Sequence, residues 1–440
     1  MEDREFALKL AHESRVKFIR LWFTDILGFL KSFAITIDEL EDALAEGVRF
    51  DGSTLQGFIR KDEREMIALP DASTFKILPW RPKEDSVARV FCDIYHTDMT
   101  PYEGDSRYIL KRNLKRAGEK GYTFYTGPEI EFFFFKTSKH PEILDAGRYF
   151  DLTPLDIASD YRRQTVLTLE EMGIGVISSH HEDAYSQHEI DLRHGDALST
   201  ADNIMTFKLI AKEIGLLNNI YASFMPKPLI NQNGSGMHIH QSLFQGENNI
   251  FFDEAMPSFL STAGNQYIAG LLRHCKEFLA ITNQWINSYK RLLYGDESPI
   301  HISWSTIGPT SLIRVPQCKR DKPSSMRVEL RSPDPACNPY LAFSAILASG
   351  LRGIDEAYDP VEPVEVSGKS LKRQEIREMG LEILPNQLSE SLTYLEKSTL
   401  MKETLGEQVI DMLVENKLME IDRFNSHITD YEIREYLPIL

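Results

Sequence analysis

The 440-residue sequence predicts a mixed α and β fold in two unequal domains. Three observations support this prediction: helical periodicity in some segments, strand-like alternation in others, and a turn-rich stretch over residues 96–105 that contains Pro101 and Gly104. A chain of this length can bury more than one sizeable hydrophobic core. We therefore expect a small N-terminal domain over residues 1–102 and a larger domain over residues 103–440.

The N-terminal domain alternates between the two periodicities. We expect helices at residues 5–13 and 37–46, strands at residues 16–25, 30–35 and 87–94, and a polar loop that carries residues 50–54 and 61–65. Gly28 marks a turn between the first two strands.

The larger domain also mixes helices and strands. We expect helices at residues 106–120, 160–171, 201–214 and 258–283, strands at residues 122–135, 218–223 and 236–242, and a mostly helical stretch over residues 388–440. The sequence contains no internal repeat and no low-complexity segment.

Composition and charge exclude several classes of function. The formal net charge of -17 argues against non-specific nucleic-acid binding, which needs a basic surface. The N-terminus is charged, and no apolar run approaches membrane-spanning length, so we expect neither a signal peptide nor a membrane partner. The four cysteines have no metal-finger spacing and are typical of reduced thiols in a cytoplasmic protein: Cys92, Cys275, Cys318 and Cys337.

Two short alternating stretches carry most of the chemical information. In a strand, residues i and i+2 point to the same face, so Glu129 projects with Glu131, and His238 projects with His240. Two carboxylates beside the apolar run at residues 132–135 are costly unless a cation pairs with them. A divalent metal is the obvious candidate. The alternative for each stretch is a half-exposed strand with its polar residues outward.

Further acidic and imidazole side chains lie in predicted loops downstream. Residues 180–182 read His-His-Glu, residues 187–189 read Gln-His-Glu, and alternation puts Arg327, Glu329 and Arg331 on one face. That last face is also compatible with a structural ion-pair network. Five carboxylates and one imidazole form a candidate metal set: Glu129, Glu131, Glu182, Glu189, Glu329 and His238.

Oxygen-dominated ligation suits Mg²⁺ or Mn²⁺ better than Zn²⁺ or an iron–sulfur cluster. Divalent metals together with arginines indicate phosphoryl transfer, in which positioning and charge neutralisation supply most of the catalysis. The sequence has neither a Walker A loop nor a G-x-G-x-x-G motif. The single glycine loop at residues 233–236 is either a hairpin turn or a place where the backbone approaches a small polar ligand.

Taken in order, the motifs resemble those of type I glutamine synthetases over nearly the whole chain. They are Phe-Asp-Gly-Ser-Thr at residues 50–54, Gly-Pro-Glu-Ile-Glu-Phe-Phe at 127–133, the two histidine–glutamate motifs at 180–182 and 187–189, Asn-Gly-Ser-Gly-Met-His at 233–238, Asn-Ser-Tyr-Lys-Arg-Leu at 287–292, Ser-Trp-Ser at 303–305, and Glu-Leu-Arg-Ser-Pro-Asp-Pro at 329–335. Each motif alone is a weak signal, and their joint order is specific.

The resemblance implies an α+β fold. A small N-terminal β-grasp-like domain would precede a large C-terminal catalytic domain with a curved antiparallel sheet and flanking helices. It also implies a homo-oligomer, a dodecamer of two stacked hexamers with active sites between adjacent subunits. The apolar C-terminal end at residues 437–440 would dock onto another subunit or pack on its own.

The resemblance further implies an ATP-dependent ligase. ATP would phosphorylate the γ-carboxylate of glutamate, and ammonia would attack the γ-glutamyl phosphate to give L-glutamine, with Mg²⁺ or Mn²⁺ as the metal. By matching motifs, Glu131, Glu182 and Glu189 would hold one ion, and Glu129, His238 and Glu329 the nucleotide-side ion. Asn233, Gly234 and Arg291 would bind the amino-acid backbone of glutamate, with Arg331 near its side-chain carboxylate. The residues facing ATP would be His240, Ser242, Arg314 and Arg327.

The ammonium nucleophile would be handled by three further residues. Glu297 matches a flap glutamate that closes the site and accepts a proton, and Asp51 from a neighbouring subunit would act with Tyr149 on ammonium. Without the surrounding pattern, Asp51 would be interpreted as part of a turn and Glu297 as a solvated loop acid.

The chain departs from the family pattern in three places. Pro309 stands where an arginine would contact the transferring phosphate, the flap at residues 294–299 carries a second acid, and the segment at residues 316–327 is longer and more basic. Losing the arginine charge would weaken stabilisation of the transition state unless Lys319, Arg320 or Lys322 replaces it. No adenylylation tyrosine segment is recognisable at residues 363–373.

Three interpretations follow from these departures. The chain is a glutamine synthetase with altered kinetics, a γ-glutamyl-amine ligase that uses another amine, or a weakly active or inactive regulatory paralogue. Retention of Asp51, Tyr149 and Glu297 favours ammonia, whereas Pro309 favours the other two.

Overall fold

Two β-sheets, one in each part of the chain, organise the fold. The computed structural model describes residues 2–59, 64–293, 298–308, 310–365 and 373–440. Within these residues the sheets have 6 and 10 strands, and helices pack around the larger one. The predicted α+β class is confirmed.

The N-terminal part places a mixed sheet against two helices. Its elements are α1 (Glu2–Glu13), β1 (Val16–Thr24), β2 (Leu30–Thr36), α2 (Leu40–Glu46), β3 (Val48–Asp51), β4 (Glu65–Pro70), β5 (Lys76–Ile77) and β6 (Ser86–Tyr95). The strand order is β2-β1-β6-β4-β3, with β5 also paired to β6, and β1 and β6 run parallel.

One expectation for this part is wrong. The predicted polar loop contains strands β3 and β4, which pair antiparallel from Val48 opposite Ala68 to Asp51 opposite Glu65. Burial of Met66 and Ala68 in the core explains the pairing, because one face of each strand is covered. Residues 61–63 of that predicted loop lie outside the described residues.

The remainder of the chain supplies the larger sheet and most helices. Its elements are α3 (Ser106–Glu119), β7 (Thr123–Phe135), α4 (Ser159–Glu171), β8 (Val176–His181), β9 (Gln187–Leu192), β10 (Gly195–Asp196), α5 (Ala197–Leu217), β11 (Tyr221–Ser223), β12 (Met237–Gln245), β13 (Asn248–Asn249), α6 (Thr262–Thr282), α7 (Ile286–Leu293), β14 (His301–Ser305), β15 (Ser311–Arg314), β16 (Val328–Leu330), α8 (Pro339–Asp355), α9 (Arg373–Glu378), α10 (Leu388–Lys397), α11 (Thr399–Leu405), α12 (Glu407–Asn425) and α13 (Asp430–Glu435). Across the described ranges, none of these helices is long and apolar enough to cross a bilayer.

The central strands of the larger sheet run antiparallel, in the order β14-β15-β16-β12-β7-β9-β8. Among the described strand pairs of this larger sheet, only the edge pair β14 and β15 is parallel. Two local expectations differ from the structure. Residues 218–220 do not join the predicted strand, because the Ile220 N–H still bonds the Gly215 carbonyl at the end of α5 (2.9 Å). The segments around residues 180 and 189 are the strands β8 and β9, not loops.

Strand β7 separates the core from the functional face. Ile130, Phe132 and Phe134 are fully buried in the main hydrophobic core, where Phe132 packs edge-on against Phe207 of α5 (5.7 Å between ring centroids). Since successive side chains alternate, Glu129 and Glu131 point to the opposite face. Burial of Ile130, Phe132 and Phe134 in the main core therefore fixes the orientation of the two carboxylates.

A buried ion-pair cluster joins the two parts of the chain. Arg107 at the start of α3 contacts Asp93 at 2.6 Å and Asp71 at 2.9 Å, both from the N-terminal part, and Asp202 of α5 at 3.0 Å. The Tyr340 hydroxyl donates to Asp202 at 2.6 Å. Three carboxylates around one guanidinium offset the cost of burying these charges, so the two parts have a defined relative position.

Candidate active site

A cavity of about 640 Å³ opens on the face of the larger sheet where β7, β8, β9 and β12 meet. Eight residues that the sequence singled out line it: Glu129, Glu131, Tyr149, Glu182, Glu189, His238, Arg314 and Arg331. Glu329 lies beneath this surface and is fully buried. Residues from seven separate strands and loops thus converge on one cavity.

Strand register brings the acidic and imidazole side chains together. Glu129 lies opposite His238 on β12, and Glu131 lies opposite Glu189 on β9. On the other side of β12, His240 lies opposite Glu329. Side chains directly opposite in an antiparallel pair are nearest neighbours, so the register alone builds the cluster.

One group of donors contains Glu129, His238 and Glu329, with one ligand atom of each within 4.8 Å of the others. His238 Nδ1 is 3.2 Å from a Glu129 oxygen and 3.8 Å from a Glu329 oxygen. This is the set predicted for the nucleotide-side metal.

The charge states in this group suit a metal site. Burial raises the pKa of Glu129, but hydrogen bonds from His238 and His240 outweigh it and lower the pKa overall. Burial likewise opposes ionisation of Glu329, and the Arg331 guanidinium at 2.6 Å lowers the pKa. Burial lowers the pKa of His238, which favours the neutral imidazole that metals bind.

A second group contains His180, Glu182 and Glu189, again within 4.8 Å of one another. His180 Nε2 donates to Glu182 Oε1 at 2.9 Å and is 3.9 Å from Glu189. Glu131, predicted here, is opposite Glu189 in register, and its Oε2 accepts the Gly236 N–H at 2.9 Å. Sequence reasoning left His180 out of the metal set. The pairing of β8 with β9 places His180 opposite Glu189, and no local sequence pattern indicates that pairing.

Repulsion between the carboxylates of this second group makes it a candidate cation site. Burial, and then the charges of Glu131, Asp191 and Glu182, raise the pKa of Glu189 well above its ordinary value. A divalent cation relieves such repulsion, and carboxylate oxygens are the donors that Mg²⁺ and Mn²⁺ prefer. The residues present therefore fit the predicted metals.

The residues predicted to face ATP share one edge of the site. His240 Nε2 donates to Glu129 Oε1 at 2.6 Å, and Arg327 Nε donates to His240 Nδ1 at 3.1 Å. Arg314 Nε contacts Glu329 Oε2 at 2.5 Å. Ser242 continues the face of β12 that carries His238 and His240. These arginines form a cationic rim next to the first donor group.

The predicted glutamate-binding residues Asn233, Gly234 and Arg291 are not among the described residues that line the cavity. Gly234 is packed so closely that a Cβ atom there would be 2.3 Å from the Pro226 carbonyl oxygen. Asn233 Nδ2 donates to Asp183 at 3.2 Å. Arg291 is buried below the glycine loop, where its two terminal nitrogens donate to the backbone carbonyls of residues 331–333 at 2.7–3.2 Å. Contact of Arg291 with a substrate carboxylate stays a prediction.

The three residues predicted to handle ammonium are in different settings. Tyr149 lines the cavity beside His180, with 5.4 Å between the rings. Asp51 is exposed at the end of β3, where it accepts hydrogen bonds from the Ser53 N–H and hydroxyl at 2.9 and 2.8 Å, and it does not line this cavity. Glu297 lies outside the described residues, as does Pro309.

A buried polar network beneath the second donor group was not anticipated. His181 Nε2 donates to Asp145 at 3.0 Å, and Arg162 donates to His188 Nδ1 at 2.8 Å and to Asp156 at 2.6 and 2.9 Å. His181 and His188 directly precede Glu182 and Glu189 in the chain. These contacts thus anchor the backbone that carries the two carboxylates. Asp145 and Arg162 come from distant segments without a distinctive local pattern.

Comparison with known families explains the arrangement. The family model described as "Glutamine synthetase, catalytic domain" matches residues 103–436, and the one described as "Glutamine synthetase, beta-Grasp domain" matches residues 15–97. The chain belongs to the glutamine synthetase family. The resemblance deduced from the ordered motifs is confirmed, and so are the β-grasp domain and the large catalytic domain.

Individual glutamine synthetases are similar to this chain over almost its full length. It is 47% identical to the glutamine synthetase of Mycolicibacterium smegmatis over 443 residues, covering 99% of each chain. It is 47% identical to that of Methanosarcina mazei, covering 99% of this chain and 98% of the other. The cryoEM structure of Plasmodium falciparum glutamine synthetase superposes with a TM-score of 0.88 at 25% identity, covering 98% of both chains.

Proposed function

We propose that this chain catalyses ATP-dependent formation of L-glutamine from glutamate and ammonia. The observation that carries the proposal is the pair of donor groups held in register across β7, β9 and β12, beside Arg314 and Arg331, in a glutamine synthetase chain. This arrangement supplies both the charge neutralisation and the positioning that phosphoryl transfer requires.

The reaction proceeds in two balanced steps. The γ-carboxylate oxygen of glutamate takes the terminal phosphoryl group of ATP, which releases ADP and gives γ-glutamyl phosphate. Ammonia then forms a C–N bond to the carbonyl carbon, the C–O bond to phosphate breaks, and inorganic phosphate leaves. Activation is needed because a free carboxylate is a poor electrophile, and the proton released by ammonium passes to a carboxylate base.

Each of the two donor groups would bind one metal ion. Glu131, Glu182 and Glu189 would hold one Mg²⁺ or Mn²⁺ ion, and Glu129, His238 and Glu329 the other. When bound, these ions neutralise phosphate charge. His180 would join Glu131, Glu182 and Glu189 at their ion, since its Nε2 already lies 2.9 Å from Glu182. Arg314, Arg327, His240 and Ser242 orient ATP along the edge of β12.

The remaining residues bind and activate glutamate and ammonium. Arg331 lines the cavity and is held by Glu329 at 2.6 Å, which directs it toward the substrate's side-chain carboxylate. Asn233, Gly234 and Arg291 form the amino-acid end. Tyr149 and Glu297 act on ammonium with Asp51 of a neighbouring subunit.

The position of Asp51 supports a homo-oligomer. This aspartate is exposed on the N-terminal sheet and does not line the cavity of its own chain, so in the proposed mechanism a neighbouring subunit supplies it. We propose the dodecamer of two stacked hexamers, acting in the cytoplasm. Relatives named glutamine synthetase that match nearly the full length favour ammonia over another amine or a regulatory role.

Phosphate release tests the proposal directly. The full chain is incubated with ATP, glutamate and Mg²⁺ or Mn²⁺, with ammonium or with methylamine, ethylamine or ethanolamine as the only amine. We expect phosphate release with ammonium to exceed that with each amine, and glutamine as product. Release with one of the other amines alone would reassign the nucleophile, and no release with any amine would leave a regulatory role.

A further inference from the structure

A second cavity, of about 560 Å³, lies between the N-terminal sheet and helix α5. It shares no lining residue with the active-site cavity. Its walls are mainly aromatic and aliphatic, and they include Trp22, Leu27, Leu78, Trp80, Phe224 and Trp285. A concave, largely apolar space of this size is typical of a small-molecule site.

One wall of this cavity carries two lysines one helical turn apart. Lys208 and Lys212 both lie on α5 and line the cavity. The polar contact of Lys208 Nζ is the Cys337 carbonyl oxygen at 3.3 Å, and Lys212 Nζ lies 5.9 Å from the centre of the Phe224 ring. Neither ammonium group has a carboxylate within 4.0 Å among the residues that the structure describes. Burial lowers the pKa of Lys208 to about 8.

The nearby acidic groups already have partners of their own. Glu213 pairs with Arg81 at 3.0 Å, and Glu420 pairs with Lys417 at 3.0 Å. The cavity therefore has an excess of positive charge at one end, in a chain whose formal net charge is -17. Lys208 is half-buried next to this apolar space and Lys212 is solvent-exposed, so an anion that brings its own apolar surface gains from both the cavity wall and the ammonium groups.

We propose that this cavity binds a small carboxylate with an aromatic or branched aliphatic body. The carboxylate contacts Lys208 and Lys212, and the apolar body lies between the tryptophans. Van der Waals contact with the rings and the two ammonium groups together distinguish such a ligand from a neutral apolar molecule and from a small hydrophilic anion.

The cavity wall is bonded directly to the glycine loop of the active site. The Pro226 carbonyl accepts the Ser235 N–H at 2.8 Å. Asn287, also in the wall, accepts the Lys227 N–H at 2.7 Å and donates to the Lys227 carbonyl at 3.0 Å. A ligand that shifts residues 224–227 therefore shifts the loop containing Asn233 and Gly234. The carboxylate is thus an effector of glutamate binding, an extension that rests on the proposed function.

Tryptophan fluorescence measures binding independently of catalysis. Three of the four tryptophans line the cavity, and Trp304 lies elsewhere. The full oligomeric chain is titrated with 4-phenylbutyrate and, separately, with its neutral amide, 4-phenylbutanamide. We expect saturable quenching by the acid and at least tenfold weaker binding of the amide. Equal binding of acid and amide, or no saturable change, would overturn the proposed site.

Lysine variants locate the contact. Lys212 is exposed on its helix, so Lys212→Met will fold, and we expect it to weaken 4-phenylbutyrate binding at least fivefold, as should Lys208→Met. Lys115→Met, on the exposed face of α3, is the matched control and should leave binding unchanged. Binding that is insensitive to both α5 substitutions would exclude these lysines.

The effector role is tested by reciprocity. If the sites are coupled, saturating glutamate must change the Kd of 4-phenylbutyrate by the same factor by which the probe changes the Kd of glutamate. We expect a change of at least threefold. An unchanged Kd would reject the coupling even if the site binds, whereas failure of the proposed ligase activity would leave the fluorescence titration unaffected.

Discussion

His238 lies directly opposite Glu129 across strands β12 and β7, with its Nδ1 3.2 Å from Glu129 Oε2. His240, two residues along the same strand, donates to the other oxygen of Glu129 at 2.6 Å. Two imidazoles from one strand thus fix both oxygens of one carboxylate. Glu129 is held ionised and oriented by the protein itself, which is the preorganisation that electrostatic catalysis needs.

Replacing Glu129 by glutamine removes that charge while nearly keeping the shape. We expect kcat for glutamate-dependent phosphate release to fall by roughly 10²–10³-fold, together with weaker Mn²⁺ binding, because the first donor group loses one of its two carboxylates. Mn²⁺ binding is measured by electron paramagnetic resonance. Glu142→Gln is the control, since that residue forms an exposed pair with Lys136 at 2.8 Å. Full activity in Glu129→Gln would show that Glu129 is not a ligand of a catalytic metal.

Local periodicity explains why part of this site was predictable. A period of two puts Glu129 with Glu131 and His238 with His240 whatever the strands pair with, and the structure places each pair on one face. The identity of the neighbour across the strand is not local information. His180 was therefore missed, because only the pairing of β8 with β9 brings it opposite Glu189.

Contacts between distant segments limited the prediction further. Arg162, on α4, contacts Asp156 and His188, and no spacing rule connects these three positions. The fold class was easier to predict, because long amphipathic helices and alternating strands carry strong signals. A strand as short as β3 has only four residues, too few for alternation to distinguish it from a loop.

The buried network around Arg162 should support metal binding indirectly. Arg162 holds His188, which directly precedes Glu189, and partners of this kind typically contribute 10–100-fold to metal affinity. We expect Arg162→Met to weaken Mn²⁺ binding by about that factor and to raise the metal concentration needed for half-maximal rate. Direct Mn²⁺ titration measures the loss of metal affinity, and the melting temperature shows separately whether the variant is less stable.

The adjacent residue provides the control for that experiment. Arg163 is exposed and pairs with Asp160 at 3.1 Å, so Arg163→Met should change neither quantity. A lower melting temperature for Arg162→Met with unchanged Mn²⁺ affinity would assign Arg162 a purely structural role.

The glycine loop should tolerate no side chain at position 234. A Cβ atom there would be 2.3 Å from the Pro226 carbonyl oxygen, which is backbone and cannot rotate away. We expect Gly234→Ala to raise the KM for glutamate at least tenfold while the KM for ATP changes little, since none of the residues proposed to face ATP belongs to this loop. Steady-state kinetics with each substrate varied in turn measures the difference.

Gly118→Ala is the matched control for this substitution. Gly118 lies in helix α3, and a Cβ atom there would have no neighbour within 4 Å. Alanine also has the higher helix propensity, by about 1 kcal/mol, so this variant should keep both KM values and melt at the same or a higher temperature. An unchanged glutamate KM in Gly234→Ala would contradict the assignment of this loop to the amino acid.

The stability of the domain junction should depend on pH through Asp105. Burial, and then the negative charge of Asp93, raise the pKa of Asp105 to about 7. The folded protein therefore holds a proton that the unfolded chain, with an ordinary pKa of 3.8, has released. The contribution of Asp105 to the free energy of unfolding therefore falls as the pH rises from about 4 to about 7 and is constant above that. The total decrease is on the order of a few kcal/mol.

Asp105→Asn removes this titration. Asparagine still caps α3 by accepting the Arg107 N–H, now bonded to Asp105 at 3.0 Å, although its amide group faces the Ile94 N–H and lowers stability equally at every pH. We expect the difference in melting temperature between pH 5 and pH 8 to be smaller in the variant than in the wild type, at one fixed protein concentration. Asp98→Asn is the control: hydrogen bonds from Thr100 lower the pKa of Asp98, so that residue is ionised across the whole window. A pH difference that is as large in Asp105→Asn as in the wild type would show that another buried group controls the junction.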